Sequence, residues 1–241
     1  MSGSKRLTKH VGSQRRLPVP ERTHDEPGLY APVRLSARLT LAAVSVGAFG
    51  ALLAAVVGDT VVVQWDAATV AWAHAHVPSA DLRLFQALSL LGSPVTWVIT
   101  VAGALALALR GDSVLAGSWL GAFGGGEVLQ GVLKAVVHRP RPPYAGTFIH
   151  DHSPSFPSGH AMESILCYGM LAWTLTVLWE PARRHRCLLW LGTALVVALV
   201  GVSRVGLGVH YPSDVVGGVL AGGAWLVIWI SIAETMRSHG S

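Results

Sequence analysis

The chain has 241 residues, enough for one domain, but 51% of them are hydrophobic and only 13% are charged. Soluble domains contain roughly 25% charged residues, and the apolar residues here form long runs, so the composition indicates a membrane protein. The net charge of +5 does not indicate nucleic-acid binding, because eight of the 18 Lys and Arg residues precede Thr40 and form a basic tail.

The first 34 residues are rich in Lys, Arg, Pro, Ser and Gly and show no apolar periodicity, so we predict a disordered tail. The first apolar run begins too far from Met1 for a cleaved signal peptide and is predicted to be an uncleaved anchor. Residues 35–236 are predicted to form one membrane domain, and 237–241 a short second tail.

Crossing the hydrocarbon of a bilayer takes about 20 residues of helix. Six apolar runs approach that length, at 39–57, about 94–109, 113–133, 161–179, 187–202 and 215–233. We therefore predict an all-α fold, a polytopic membrane bundle of six transmembrane helices. The two cysteines, Cys167 and Cys187, lack metal-ligand spacing and are predicted to be free thiols.

The segment from 59 to 91 mixes aromatic and aliphatic residues with polar ones, including Trp65 and Trp72. Aromatic rings favour the membrane interface, so this segment is predicted to be an interfacial helical hairpin between the first and second spans. Its two histidines, His74 and His76, are predicted to be surface residues.

Six spans place both termini on one side of the membrane. The basic tail, Arg110 and the three arginines within 183–186 share that side, and the positive-inside rule identifies it as the cytoplasm. The other side then receives the connections 58–92, 134–160 and 204–214. We predict a multi-pass protein of the plasma membrane whose last two outer connections carry the chemistry.

The first motif reads Lys134-Ala-Val-Val-His-Arg-Pro-Arg141-Pro142. Cations inside hydrocarbon cost roughly 2.5–3.5 kcal/mol each, so these basic residues belong at the membrane rim, where an anion can reach them. Prolines stop the helix there. A basic border that only anchors the span is the alternative, but such borders favour the cytoplasmic side.

The second motif is Pro157-Ser158-Gly159-His160, directly before the fourth span. A helix N-terminus offers unpaired backbone N–H groups and the positive end of its dipole to an anion. His160 is placed to donate a proton to a leaving group. A capped helix start explains these four residues equally well on their own.

The third motif is Ser203-Arg204-Val-Gly-Leu-Gly-Val-His210-Tyr-Pro-Ser-Asp214. His210 and Asp214 are four residues apart near a helix start, where a carboxylate can fix the tautomer of an imidazole and raise the basicity of its other nitrogen. A nucleophilic histidine needs this activation. An isolated His–Asp pair is more often structural.

Together the three motifs resemble the signature of the type 2 phosphatidic acid phosphatase superfamily, over residues of about 94–233. Every signature position matches: Lys134, Arg141, Pro142, Pro157, Ser158, Gly159, His160, Ser203, Arg204, His210 and Asp214. The resemblance implies an integral membrane enzyme without metal or other cofactor that hydrolyses a lipid phosphate or diphosphate.

The same resemblance implies a role for each matched residue. His210 would attack phosphorus and form a phosphohistidine, oriented by Asp214, and His160 would protonate the leaving oxygen and then activate water. The phosphoryl oxygens would be bound by Lys134, Arg141, Ser158, Gly159 and Arg204. Outside the signature, Arg139 and Glu163 are accessory candidates, the first for a second phosphate and the second for tuning His160. Glu127 is an acid within a span and has either a functional or a packing role.

Two other classes remain open on the residues alone. A vanadate-dependent haloperoxidase shares this anion site but is soluble, and halide oxidation would identify it. A lipid-phosphate binding or transport protein would bind substrate without releasing phosphate. An outward-facing site suits undecaprenyl diphosphate, while phosphatidic acid and phosphatidylglycerol phosphate remain alternatives. Membrane lipids are the expected surroundings, nucleic acid is not an expected partner, and the oligomeric state is not readable.

Overall fold

The computed structural model of the chain describes residues 31–145 and 153–239, and the regular secondary structure of this part is all helical, without strands. The helices are α1 (Ala31–Val57), α2 (Val61–His76), α3 (Ser79–Leu90), α4 (Val95–Leu109), α5 (Ser113–Val137), α6 (Gly159–Leu178), α7 (Glu180–Arg184), α8 (Arg186–Gly206) and α9 (Pro212–His239). The predicted tail before residue 31 lies outside the described residues. The helix α1 begins four residues before the predicted start of the membrane domain, and α9 extends beyond its predicted end.

Six helical segments of the described part are long and apolar enough to cross a membrane, which confirms the predicted fold class. They are Ser36–Val57, Ser79–Leu109, Ser113–Val137, Gly159–Leu178, Arg186–Gly206 and Pro212–Ser238. The chain is a multi-pass membrane protein.

The predicted hairpin is present as α2 and α3, but α3 also belongs to the second candidate span. Only a short turn at 91–94 separates α3 from α4, so the apolar segment Ser79–Leu109 includes both helices. The helix α2 packs against α1, α8 and α9, and α3 packs against α8. Both helices thus rest on the bundle, and their depth in the membrane remains a prediction.

The helix α6 lies at the centre of the bundle and packs against α4, α5, α8 and α9. Its apolar side chains meet those of α5 and α9 in one core, whose large buried members include Leu115, Trp119, Phe123, Met162, Leu166, Met170 and Leu226. The position of α6 matters for function because its first residue follows directly on Ser158.

Two ion pairs join elements at one end of the bundle. Arg38 of α1 bonds to Glu234 near the end of α9, and Arg237 of α9 bonds to Asp112 in the turn between α4 and α5. The two ends of the described chain therefore lie together. The end of α5 and the starts of α6 and α9 lie at the opposite end, which we call the site end.

Candidate active site

The first motif leaves the helix α5 at the site end. The helix stops at Val137, and His138 adopts a left-handed conformation (φ 50°) while its N–H bonds to the carbonyl of Lys134 at 3.1 Å. Prolines follow at 140 and 142, where the missing N–H groups prevent a further helical turn. Lys134 therefore stays on the last turn of α5, and the arginines lie on an extended segment.

Arg141 joins the first motif to the third. Its Nη1 donates to the carbonyl of Val209 at 3.0 Å and lies 3.2 Å from Nε2 of His210. Its Nε and Nη2 donate to the carbonyl and the hydroxyl of Ser153, both at 2.9 Å. A guanidinium held at three nitrogens has one orientation, so the cation is fixed beside the imidazole.

The other nitrogen of His210 faces Asp214. Nδ1 lies 3.4 Å from Oδ2 of Asp214, an oxygen that also accepts the N–H of Tyr211 at 2.9 Å. An ionised carboxylate only accepts, so Nδ1 carries the proton and Nε2 keeps its lone pair. Burial lowers the pKa of His210 to about 4, against the opposing pull of Asp214. The imidazole is therefore neutral at neutral pH.

The second motif docks on the start of α9. The N–H of Ser158 donates to the carbonyl of Asp214 at 2.9 Å. This approach requires Gly218, because a Cβ there would lie 2.4 Å from the Ser158 carbonyl oxygen. Gly159 is packed against Gln130, since a Cβ on it would lie 1.9 Å from Nε2 of that side chain, which would have to move. The resemblance implies that Gly159 binds phosphate, and the space beside its Cα is filled by Gln130.

His160 begins α6 with its side chain half-buried. Its side chain lies against Gly92 in the turn between α3 and α4, where an added Cβ would come within 3.0 Å of the His160 Cβ and 3.2 Å of its ring Cδ2. His160 lies within electrostatic range of Arg204, Lys134, Arg141 and the His210 imidazole. Both imidazoles and the three predicted phosphate-binding cations thus lie around one location.

Arg204, on the last turn of α8, is buried and donates from Nη1 to the hydroxyl of Ser89 at 2.5 Å. Its Nε is buried and has no hydrogen-bond partner within the described part of the chain, and the same holds for the hydroxyl of Ser158. Two residues predicted to bind phosphate therefore keep unused polar atoms.

Arg139 differs from its predicted accessory role at a phosphate. Its Nη1 donates to Oδ1 of Asp214 at 2.6 Å and to the hydroxyl of Ser213 at 2.7 Å, and its Nη2 donates to Oδ2 of Asp66 at 2.7 Å. Its guanidinium also stacks on the ring of Tyr211, 4.2 Å from the centroid. Desolvation lowers its pKa, but Asp214 and Asp66 outweigh that and raise it above the ordinary value.

Sequence reasoning missed Asp66, which is buried on α2. Its two oxygens accept from Arg139 and from the N–H and hydroxyl of Ser213. The signal that could have found it is that Asp66 is the only acidic residue in α2, the first helix of the predicted hairpin.

The two acidic candidates lie deeper in the bundle. Glu163 is buried and accepts from the hydroxyl of Thr96 at 3.1 Å, within electrostatic range of Glu127 and Lys134. A bond between Glu163 and His160 is not among those observed in the described residues, so its predicted tuning role stays a prediction. Glu127 is half-buried and is influenced by Lys134.

The family model that matches this chain is described as the PAP2 superfamily, and it matches residues 115–237, which include all three motifs. The chain belongs to the PAP2 superfamily. This confirms the resemblance drawn from the motifs. A solved structure of a transmembrane PAP2 type phosphatidylglycerolphosphate phosphatase from Bacillus subtilis is similar, with a TM-score of 0.65 and 28% identity, over 86% of this chain and 98% of that one.

Curated relatives match over shorter stretches. Phosphatidylglycerophosphatase B of Bacillus subtilis is 38% identical over 100 residues, which are 42% of this chain and 49% of the relative. Decaprenylphosphoryl-5-phosphoribose phosphatase of Mycolicibacterium smegmatis is 38% identical over 130 residues, 51% of this chain and 62% of the relative. The bovine glucose-6-phosphatase catalytic subunit 1 is 42% identical over 91 residues, 35% of this chain and 24% of the relative. The chain thus spans about half the length of the first of these relatives.

Proposed function

We propose that this PAP2 protein is a membrane phosphatase that hydrolyses a lipid phosphate through a phosphohistidine at His210. The observation that carries the proposal is the arrangement around that imidazole. Asp214 holds Nδ1, which leaves Nε2 as the nucleophile, and the Arg141 guanidinium lies 3.2 Å from Nε2. A phosphoryl group bound to Arg141 would sit next to the attacking nitrogen.

The buried polar atoms without a hydrogen-bond partner support the proposal that the site binds an anion. The hydroxyl of Ser158 and Nε of Arg204 are buried without a partner in the described residues, and an unsatisfied buried polar group costs about 1–3 kcal/mol. A phosphoryl group brings oxygens that accept such donors. With Lys134 and Arg141 it would be surrounded by three cations, which can stabilise the charge that spreads over its oxygens.

The reaction has two steps. Nε2 of His210 attacks phosphorus and the bond from phosphorus to the lipid oxygen breaks. His160, which takes up a proton when the negative charge of the phosphate is bound beside it, gives that proton to the lipid oxygen. Neutral His160 then removes a proton from water as the water oxygen attacks phosphorus. The N–P bond breaks, inorganic phosphate leaves, and both histidines return to their starting states.

The identity of the lipid substrate is a further part of the proposal. The names of two of these relatives and of the similar solved structure contain phosphatidylglycerophosphate or a decaprenyl phosphoribose, and these names support phosphate on a lipid headgroup as the substrate chemistry. Phosphatidylglycerol phosphate is the first substrate to test, because the structural match to its phosphatase spans 98% of that protein. Undecaprenyl diphosphate and phosphatidic acid are the next substrates to test.

We further propose that both termini are cytoplasmic and that the site end faces outward.

The direct test is phosphate release by detergent-purified protein from phosphatidylglycerol phosphate, undecaprenyl diphosphate, phosphatidic acid and a soluble phosphate ester, all in EDTA. We expect release from at least one lipid and none with His210→Ala. Glu234→Gln, which removes an ion pair at the opposite end, is the matched control and should retain activity. Lipid binding without release would indicate a binding protein, and halide oxidation in the presence of vanadate and hydrogen peroxide would indicate a haloperoxidase.

A further inference from the structure

A chain of buried charges links the helix α2 to the predicted nucleophile. Asp66, Arg139 and Asp214 are exposed by only 3%, 8% and 0%, and they alternate in sign. The guanidinium of Arg139 lies between the two carboxylates, with N–O distances of 2.7 Å to Asp66 and 2.6 Å to Asp214. Buried charges persist when they are paired and hydrogen-bonded, as all three are here.

Asp66 also fixes the start of α9. Its Oδ1 accepts the N–H of Ser213 at 3.0 Å, and its Oδ2 accepts the Ser213 hydroxyl. A carboxylate is favoured at a helix N-terminus, where backbone N–H groups are unpaired. Asp66 therefore positions the residue next to Asp214 as well as the arginine that binds Asp214.

The two carboxylate oxygens of Asp214 therefore bind different partners. Oδ1 accepts from Arg139, while Oδ2 accepts from Tyr211 and faces Nδ1 of His210. With Oδ1 held, the carboxylate cannot rotate to offer Arg139 and His210 the same oxygen. The plane of the carboxylate, and with it the direction of the imidazole, is set from α2 through Arg139.

We propose that Asp66 and Arg139 are positioning residues that orient Asp214 and thereby aim Nε2 of His210 at phosphorus. The inference rests on the proposed function. It assigns Arg139 a role different from that of Arg141, which lies two residues away. Both Nη groups of Arg139 are engaged with carboxylates, whereas Nη1 of Arg141 lies beside Nε2, where the phosphoryl group would bind.

The first test separates positioning from phosphate binding. Asp66→Asn and Arg139→Gln should lower kcat at least tenfold, while the Ki of inorganic phosphate stays within twofold of wild type. Arg141→Gln should raise that Ki, and Glu234→Gln should leave both constants unchanged. Arg139→Lys, which keeps the charge but not the planar fork that reaches two carboxylates, should also lower kcat. A folded Asp66→Asn protein with wild-type kcat, or a raised Ki in Arg139→Gln, would overturn the proposal.

The second readout is the titration of His210 by NMR with labelled histidine, which does not require turnover. The charged groups that face His210 are Asp214, Arg141, Arg204 and His160. Asp66→Asn removes a negative charge from the chain that ends at Asp214. If this chain positions Asp214, the substitution lowers the pKa of His210 further. If Asp66 only stabilises packing, the variant admits water and the pKa rises towards 6.5 instead. That rise would refute the proposal even in a protein that releases no phosphate.

If wild-type protein releases phosphate from none of the lipids, the proposed function fails. The His210 titration still decides the inference about Asp66, so the two failures are distinguishable. Thermal unfolding of every variant, compared with Glu234→Gln, shows which proteins are folded enough to be scored.

Discussion

Nη1 of Arg141 lies 3.2 Å from Nε2 of His210, although the two residues are 69 positions apart in the chain. The contact joins the extended segment after α5 to the turn before α9. It places a fixed cation at the nitrogen that keeps its lone pair, so the same guanidinium can bind a phosphoryl oxygen and hold the phosphorus within reach of the imidazole.

Replacing Arg141 with Gln should weaken phosphate binding. A hydrogen bond to a charged group contributes about 1.5–3 kcal/mol, so we expect KM for the lipid and Ki for phosphate to rise roughly tenfold or more. Arg183→Gln is the matched control, because Arg183 lies in an exposed pair with Glu180, and exposed pairs contribute little. Unchanged KM and Ki in Arg141→Gln would show that Arg141 does not bind the phosphoryl group.

His210 should remain neutral at pH values where most histidines are charged. Burial lowers its pKa to about 4, from an ordinary value of 6.5. The unfolded chain takes up this proton near pH 6.5 and the folded protein only near pH 4, so the free energy of unfolding should fall as the pH drops through that window. NMR of labelled histidine, with His210→Ala for assignment, measures the titration. A midpoint near 6.5 without phosphate would contradict this burial.

Gly159→Ala should damage the second motif through a collision with Gln130. The added Cβ would lie 1.9 Å from Nε2 of Gln130, and such overpacking costs about 1–3 kcal/mol. We expect a lower midpoint of thermal unfolding and reduced phosphate release. The double variant Gly159→Ala with Gln130→Ala removes the obstructing amide and should recover both. Recovery of stability without activity would instead indicate that the glycine is needed for the phosphate itself.

The sidedness of the site can be tested with one native cysteine and one introduced cysteine. Cys187, exposed at the start of α8, should react with a membrane-impermeant maleimide only from the cytoplasmic side. Pro143→Cys, placed at an exposed position of the site end in a Cys187→Ser background, should react only from outside. Reaction of both from the same side would refute the six-span topology.

The spans and the motifs could be read from the sequence because each depends on local features. A run such as 161–179 is apolar over the length that a bilayer requires, and α6 occupies it almost unchanged. The spacing of four between His210 and Asp214 places both near one helix start, which the contact between them confirms.

The partners of Arg139 and Arg204 could not be read in the same way. Asp66 is 73 positions from Arg139, and Ser89 is 115 from Arg204, so these contacts depend on how α2 and α3 rest on the bundle. The sequence showed only an amphipathic segment there. An interfacial hairpin gave no reason to expect that Asp66 and Ser89 would be buried, as both are.

The central claim is that His210 is the nucleophile, and trapping of the phosphoenzyme tests it most directly. Wild-type protein mixed with labelled lipid phosphate and quenched in alkali should carry phosphate on His210, stable to alkali and released by acid. His210→Ala should carry none and release none. Label on a different residue, or turnover in His210→Ala, would contradict the account.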